Sequence, residues 1–498
     1  MNASKHTLTK TNFIQFLNCP KSLWLLKNKP EDYPHGEFSL FLEKLIKEGY
    51  EVESFAMELF PYGIDLGERS SVEQTSKALE SKDATFFQAS FQTTDNAFAR
   101  LDIIEKNEDG TLNIYEIKSS TEVKRKKQHD HVKDICFQKY VIEKSKYRVK
   151  DVFIIHLNKE YVRDGEINPH SLLTTTNVTG EVNKAYDGVV GNIDAAIELL
   201  QKDSIQEKTC SCMQQTRSNH CDSFQYFNSD LPDNPIYHIG RISKQKIWKL
   251  VDEGLLAIKD IDIEFELNEK QKLQVLSVKS EEPLIDYNKI KERLDSLKFP
   301  LHFIDYETYA SAVPRIDEVR PHQHIPFQVS IHTLKEDGSI EHCEYLADTL
   351  ELPEKMLQKM KVFTGSTGTY ISWHASYEKS RNVQMIDWFP EYREYLIHMN
   401  NNMFDLEDVF KEDYVDYRFK GSTSIKKVLP VIIPNLSYDK LEVRDGTTAL
   451  DLWGRMVLSK DDEFVDTKEK TREDLLEYCK LDTWAMVEIY RFLIELNK

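Results

Sequence analysis

Apolar positions recur at helical spacing over residues 12–26, "NFIQFLNCPKSLWLL", and again over 39–60, "SLFLEKLIKEGYEVESFAMELF". Both stretches predict amphipathic helices, the first interrupted at Pro20, whose ring is excluded from a helix interior. The pattern then turns to alternation. Two apolar runs within residues 97–118 flank the polar turn "EKNEDG" and predict a strand hairpin. A helix over "VKDICFQKYVIEK" and a strand over "DVFIIHL" come next, so this half mixes α and β. The turn-rich "SDLPDNP", residues 229–235, marks a boundary. After it, "SKQKIWKLVDEGLLAIKDI" reads as a helical connector with Gly254 inside it; a helix-hairpin-helix is the sharper alternative. A second α/β segment opens at "PLHFIDYETYA". Strands follow at "FQVSIHTL" and "IEHCEYLA", and the chain closes on the helix "TREDLLEYCKLDTWAMVEIYRFLIEL". The expected organisation is α/β in three parts: residues 1–228, a connector over 229–298, and residues 299–498.

A chain of 498 residues is long enough for two to four domains. Hydrophobic content of 40% and charged content of 30% are ordinary for soluble globular protein. No stretch approaches the roughly 18 apolar residues of a membrane span. "MNASKHTLTK" lacks the apolar region of a signal peptide. A cytoplasmic location without a membrane partner is expected. The net charge of −19 argues against a passive coat for nucleic acid. It does not argue against metal-dependent cleavage, because carboxylates are what hold the cations. The basic run "KRKK", Lys124 to Lys127, could approach phosphates, or could be a solvated loop. Three of the seven cysteines crowd into "CSCMQQTRSNHC", which reads as a metal or cluster site before it reads as a disulfide.

The hairpin carries a first constellation. Glu116 and Lys118 share a strand face, and the hairpin brings Asp102 beside them. Two close carboxylates are costly unless a proton or cation neutralises them. A divalent metal does so, and oxygen donors suit Mg²⁺ or Mn²⁺. Lys118 could then orient an attacking water in metal-assisted phosphodiester hydrolysis. The bland alternative is a solvated Glu116–Lys118 salt bridge. "LDII…YEIKSST" resembles the PD-(D/E)XK nuclease core, of restriction-endonuclease-like fold, in its RecB-like branch. "GYEVESFAMELF" resembles that branch's first helical motif, and the resemblance implies that Glu53 joins the metal site. "DICFQKYV" resembles its glutamine helix and implies a role for Gln138. Tyr140 stands two residues beyond the glutamine, where the family tyrosine stands four beyond.

Some RecB-like nucleases, including CRISPR-associated adaptation nucleases and AddB-type proteins, hold an iron–sulfur cluster. "LNCPKSLWL" resembles the helix that gives the first ligand, Cys19, and Cys210, Cys212 and Cys221 fall where the others are expected. Four thiolates suit a [4Fe–4S] cluster. The C-x-C spacing departs from the family. Zinc, with His220 as a possible ligand, and an unmetallated site remain the alternatives. Cys136 and Cys479 read as buried small hydrophobes.

A second constellation lies in "HFIDYETYA", which puts Asp305 and Glu307 on one strand face. "LLEYCKLDTWAM" puts Tyr478 and Asp482 on one helix face. Acidic pairs inside apolar elements suggest a two-metal site. The D-x-E and Y-x3-D patterns resemble the ribonuclease-H-like, DnaQ-type 3′–5′ exonucleases. In the middle motif "SWHASYEKS", Glu378 stands where that family has an aspartate; Asp405 in "NNMFDLEDVF" is the other candidate. An inherited fold without activity is the bland reading.

A cysteine-bearing RecB-like region followed by a D-x-E region resembles a bacterial family with this same order. The resemblance implies a metal-dependent deoxyribonuclease, with repair, replication and defence all compatible. Asp102, Glu116, Glu53, Asp305, Glu307, Glu378 and Asp482 would hold metal, Lys118 and Tyr478 would orient water, and Gln138 would support the first site. DNA is the expected partner, with RNA possible. The rival class is a non-catalytic module that binds nucleic acid or recruits a helicase or defence complex. The pairs His129 with His131 and His322 with His324 read as solvated, and Trp24 and Trp484 as core anchors.

Overall fold

Pro20 cannot sit inside a helix, and the chain breaks there as the sequence predicts. Helix α1 (Lys10–Asn18) ends at Cys19, whose backbone is extended, and α2 (Pro20–Asn28) restarts with the proline in its first turn. In this computed structural model the described residues are 6–36, 39–126, 129–438, 441–458 and 467–498. They form a mixed α/β protein that divides into two units, Met1–Asp230 with Ser311–His322, and Leu231–Ala310 with Gln323–Lys498. No helix of the described residues is long and apolar enough to cross a membrane.

The first unit is built on a seven-stranded sheet. After α3 (Leu40–Glu58) come β1 (Thr85–Gln92), β2 (Ala97–Lys106) and β3 (Leu112–Lys118), paired antiparallel in that order. Strand β3 then pairs parallel with β4 (Val149–Leu157), which pairs antiparallel with β5 (Leu173–Asn177). A parallel pair needs a crossover, and α4 (His131–Lys144) supplies it. The long α5 (Thr179–Leu200) covers α4. Phe13 of α1 stacks on Phe137 of α4 at 5.2 Å between ring centroids, so the core locks α1 beside the sheet. Lys10, at the start of α1, and the D…ExK strands are thereby fixed relative to one another.

The second unit centres on β6 (Leu301–Tyr309). Its sheet runs β8 (Ile340–Leu346), β7 (Ile325–Leu334), β6, β9 (Thr369–Ser372), α6 (Ser376–Trp388) follows β9 in the chain, and β10 (Met403–Asp405) closes the far edge. Strands β6 to β8 pair antiparallel, and β6, β9 and β10 pair parallel. Every residue of β6 except Asp305 is buried, as a central strand covered on both faces must be. Helices α7 (Ile425–Ile432), α8 (Gly446–Leu458) and α9 (Lys468–Leu496) follow, and α9 packs across β6 and β7. Residues 231–298 belong to this unit, and the short strand Leu284–Ile285 pairs with Tyr414–Val415. After the helix Lys244–Asp252, Gly254 takes a φ of +73° and a short 3-10 turn follows, so no second helix of a helix-hairpin-helix comes directly after it.

Candidate active sites and cysteine centre

In the first unit, Asp102 lies one residue past the last β2–β3 ladder pair, Ile103 with Tyr115. Its carboxylate accepts the N–H of Ile117 at 2.8 Å instead of joining the ladder. Glu116 is buried in the adjacent strand. Its Oε1 accepts from Lys10 and, at 2.9 Å, from Lys118, while Oε2 accepts from Gln138. Lys118 also pairs with Asp134 at 2.7 Å. Asp102, Glu116, Lys118, Lys10 and Glu53 line one open cleft of about 280 Å³, with Ile46 and Tyr50 of α3 on its rim. Burial opposes ionisation of Glu116, but Lys10 and Lys118 outweigh it and hold the carboxyl far below its ordinary range. Burial, then Glu116, push Asp102 up to about 7, and burial raises Glu53. Among the described residues, Glu53, Asp102 and Glu116 do not draw their oxygens together as the second unit's carboxylates do. An ammonium group, not a third carboxylate, closes on Glu116.

Gln88 explains where Glu53 is held. It sits opposite Asp102 but is left out of the β1–β2 ladder, between the pairs Phe87–Ile103 and Ala89–Leu101. Its φ is +55°, uncommon for a residue with a side chain, and its amide donates to Glu53. Tyr140 bonds to Asp95 at 3.3 Å and takes no part in the cleft.

In the second unit the carboxylates converge. One oxygen each from Asp305, Glu307 and Asp482 lies within 4.8 Å of the others. The strand alternation delivers the first two, and α9 brings the third across β6. Glu307 and Asp482 are buried, Asp305 half-buried. No ion pair joins any of the three among the described residues. Burial, then repulsion from Asp482, raises Glu307 to about 8; burial raises Asp482 to about 6, and Asp305 is held well above its usual value. Tyr438 donates its hydroxyl to Asp482 Oδ1 at 2.5 Å. The Cys479 thiol lies 3.6 Å from Asp305 Oδ2, so this cysteine is buried as expected but faces the carboxylates as well as the core. Tyr478 is buried, its ring 6.4 Å from that of Tyr438.

Glu378, in the first turn of α6, falls outside that close trio. It is buried with Oε2 unpartnered, and burial raises it to about 7. It remains near enough to repel Asp305 and Glu307. Asp405 is committed elsewhere, accepting the backbone N–H groups of His374, Ala375 and Glu407, each at 3.1 Å. It shapes the entry to α6, a structural task.

The four cysteines singled out by sequence meet. Cys19, Cys210, Cys212 and Cys221 place their sulfurs within 4.8 Å of one another, and all are free thiols. Contacts with Cys19 first, then with the other two, pull the Cys210 thiol far down and, on balance, push Cys212 and Cys221 up. His220 stacks on Phe224 at 3.5 Å and does not join the set. Around the thiols, α2 is tied to the later segment. Lys21 donates to the carbonyls of Gln206, Lys208 and Thr209, and Trp24 Nε1 to that of Lys202 at 2.7 Å.

Other expectations divide. His131 is buried and its Nδ1 accepts the N–H of Lys124, so it fixes the turn before α4 and is not solvated. His322 Nε2 meets the carbonyl of Ser119 at 2.6 Å, and His324 bonds to Thr308. The His129 side chain and Lys127 lie outside the described residues. Arg125 of the basic run is taken up by Glu181 at 2.6 Å. Trp24 is a core anchor, whereas Trp484 is only half-buried. Sequence reasoning missed Lys10, Gln88 and Tyr438, and also Lys426, whose charge draws Glu307 and Asp482 down. Each reaches its site from a distant segment, and only Gln88, an amide inside the apolar run "TFFQASF", stood out locally.

The family model described as a domain of unknown function (DUF2779) matches residues 302–424, which include Asp305, Glu307 and Glu378. The Mycoplasma pneumoniae protein described as "Uncharacterized protein MG366 homolog" is 29% identical over 230 residues, 41% of this chain and 34% of the relative. The Mycoplasma genitalium protein described as "Uncharacterized protein MG366" is 28% identical over 233 residues, 42% of this chain and 34% of the relative. The chain thus spans about a third of the length of these curated relatives.

Proposed function

We propose that this chain is a divalent-metal-dependent nuclease that hydrolyses phosphodiester bonds of DNA, with its principal site at Asp305, Glu307 and Asp482. The observation that carries this reading is the convergence of those three carboxylates within 4.8 Å without a single ion pair among the described residues. Buried like charges of this kind are unstable unless protonated or bridged by a cation. All-oxygen donors fit Mg²⁺ or Mn²⁺, and Glu378, near enough to repel Asp305 and Glu307, has an unpartnered Oε2 to add. When bound, the metal supplies Lewis-acid activation of water and stabilises charge on the phosphate. The chain's own groups do the positioning. Tyr438 fixes one oxygen of Asp482, and Tyr478 offers a hydroxyl beside the same carboxylate. The central β6 and the crossing α9 support the ribonuclease-H-like reading, as the D…ExK hairpin supports the restriction-endonuclease-like one.

The cysteine set matches a [4Fe–4S] cluster in number and donor type, while sulfurs all within 4.8 Å of one another match the tighter tetrahedron of a single zinc ion; either would have a structural role that joins α2 to residues 210–221. Seven free cysteines accord with a reducing, cytoplasmic setting.

For the first unit a non-catalytic role is a second reading. The observation favouring it is that both oxygens of Glu116 already have nitrogen donors. Labelled single- and double-stranded DNA incubated with Mg²⁺ or Mn²⁺ tests both readings. Asp305→Ala should lower cleavage about 100-fold or more, since even outer partners of metal ligands are worth 10–100-fold. Lys118→Ala should leave most of the activity if the first unit only binds. Cleavage that survives Asp305→Ala and vanishes with Lys118→Ala would move the active site to the first unit. DNA binding without cleavage in either metal would favour the recruitment module.

A further inference from the structure

Lys426, in the first turn of α7, is half-buried and makes no ion pair among the described residues. Its Nζ lies 5.4 Å from the ring centre of Tyr478 and 5.6 Å from that of Tyr438. One of those rings donates its hydroxyl to Asp482, and the other lies one helical turn before Asp482. The ammonium is therefore held on two aromatic faces at the edge of the carboxylate trio. Cation–π contact fixes such a group without neutralising it. A lysine held to balance the trio would sit in hydrogen-bonded contact with one of the acids, as Lys10 does with Glu116 in the first unit. Lys426 instead draws Glu307 and Asp482 down from a distance, with no hydrogen bond to either among the described residues, so its N–H groups are left to meet a further anion.

We propose that Lys426 binds a backbone phosphate of the nucleic-acid strand at the second site, as a point charge clamped by Tyr438 and Tyr478. This rests on the nuclease reading above and deepens it. It makes Lys426 a substrate-binding residue, and it gives the two tyrosines the task of aiming the ammonium as well as the acid.

The test uses the full chain carrying Lys118→Ala, so that any cleavage comes from the second unit. With a single-stranded fluorescent oligonucleotide in Mn²⁺, Lys426→Met should raise KM about tenfold while kcat stays within about threefold. Methionine keeps the apolar stem over the rings and removes only the charge. Lys426→Arg should recover most of the loss. Equilibrium binding gives an independent readout. The slope of log affinity against log salt should become shallower by about 0.7 in Lys426→Met, the value for one phosphate contact on a single strand. If no protein cleaves, the nuclease reading fails, yet the salt slope still decides whether Lys426 holds a phosphate. An unchanged KM with an unchanged slope, or a loss confined to kcat, overturns the inference. So does a rise in Mn²⁺ affinity with no change in oligonucleotide binding, which would mean that Lys426 only balances the carboxylates.

Discussion

At Glu116, lysine and glutamine nitrogens occupy both carboxylate oxygens, whereas at Asp305 and Glu307 no cation is paired among the described residues. Lys10 is the residue that makes the difference in the first unit. Replacing it with methionine removes the competing charge while keeping the stem. Lys10→Met should therefore tighten Mn²⁺ binding at Asp102 and Glu116, about tenfold for a change near 1.4 kcal/mol. Calorimetric titration in an Asp305→Ala background would measure it; weaker binding would instead make Lys10 part of the metal site's support. The second unit gives a pH signature of opposite origin. Glu307 and Asp482 have raised values, about 8 and about 6, so the metal-free fold keeps protons that an unfolded chain has already released. Their contribution is most favourable below about pH 4 and is lost as pH rises through those folded values. Melting in chelator should show stability falling between about pH 5 and about pH 8.5, a flatter fall in Glu307→Gln, and recovery on adding Mn²⁺. Strand alternation and helix spacing made Asp305, Glu307 and Asp482 legible in the sequence. Lys10 and Lys426 were not, because a surface-compatible lysine carries no local sign of the distant carboxylate it faces.

Helix α2 depends on the segment that follows α5. Trp24, buried in α2, donates to Lys202, and Cys19 opens the helix beside the three later cysteines. Loss of one thiol should therefore unfasten a long stretch of chain. Cys221→Ser is expected to abolish metal retention, read as absorbance near 400 nm for a cluster or as zinc content, and to lower the melting temperature by several degrees, while cleavage at the second site changes little. Colourless wild-type protein that retains zinc would replace the cluster with a zinc site. Gly446 makes a comparable test in α8. A Cβ there would meet Glu307 Oε2 at 3.1 Å, so Gly446→Ala should displace the carboxylate and reduce Mn²⁺-dependent cleavage severalfold. The elements themselves were legible where the period was clean, as in the hairpin over 97–118 and the last helix. Strand β1 and helix α5 gave weaker signals. Gln88 leaves the β1 ladder, and Gly180, Gly188 and Gly191 dilute helical propensity in α5.

Across the whole chain, each unit carries buried and half-buried acids on strands of a mixed sheet and on a helix packed beside it, and the two sets solve the same electrostatic problem differently. The first unit balances buried acid with lysine. The second leaves it without a paired cation among the described residues, with only the more distant charge of Lys426 opposing Glu307 and Asp482, in a protein whose net charge is already −19. An unbalanced set is what a cation-dependent reaction on a polyanion needs, because the ions then supply the positive charge that approaches the phosphate. The sequence conveyed this as two acidic patterns, the D…ExK hairpin the stronger of the two. Their different pairing comes from chain segments far apart in sequence, Lys10 with Glu116 above all. The most direct measurement is anomalous diffraction from a crystal of the chain soaked in Mn²⁺. We expect a manganese peak shared by Asp305, Glu307 and Asp482. Full soaking with no peak among those three side chains would contradict the account.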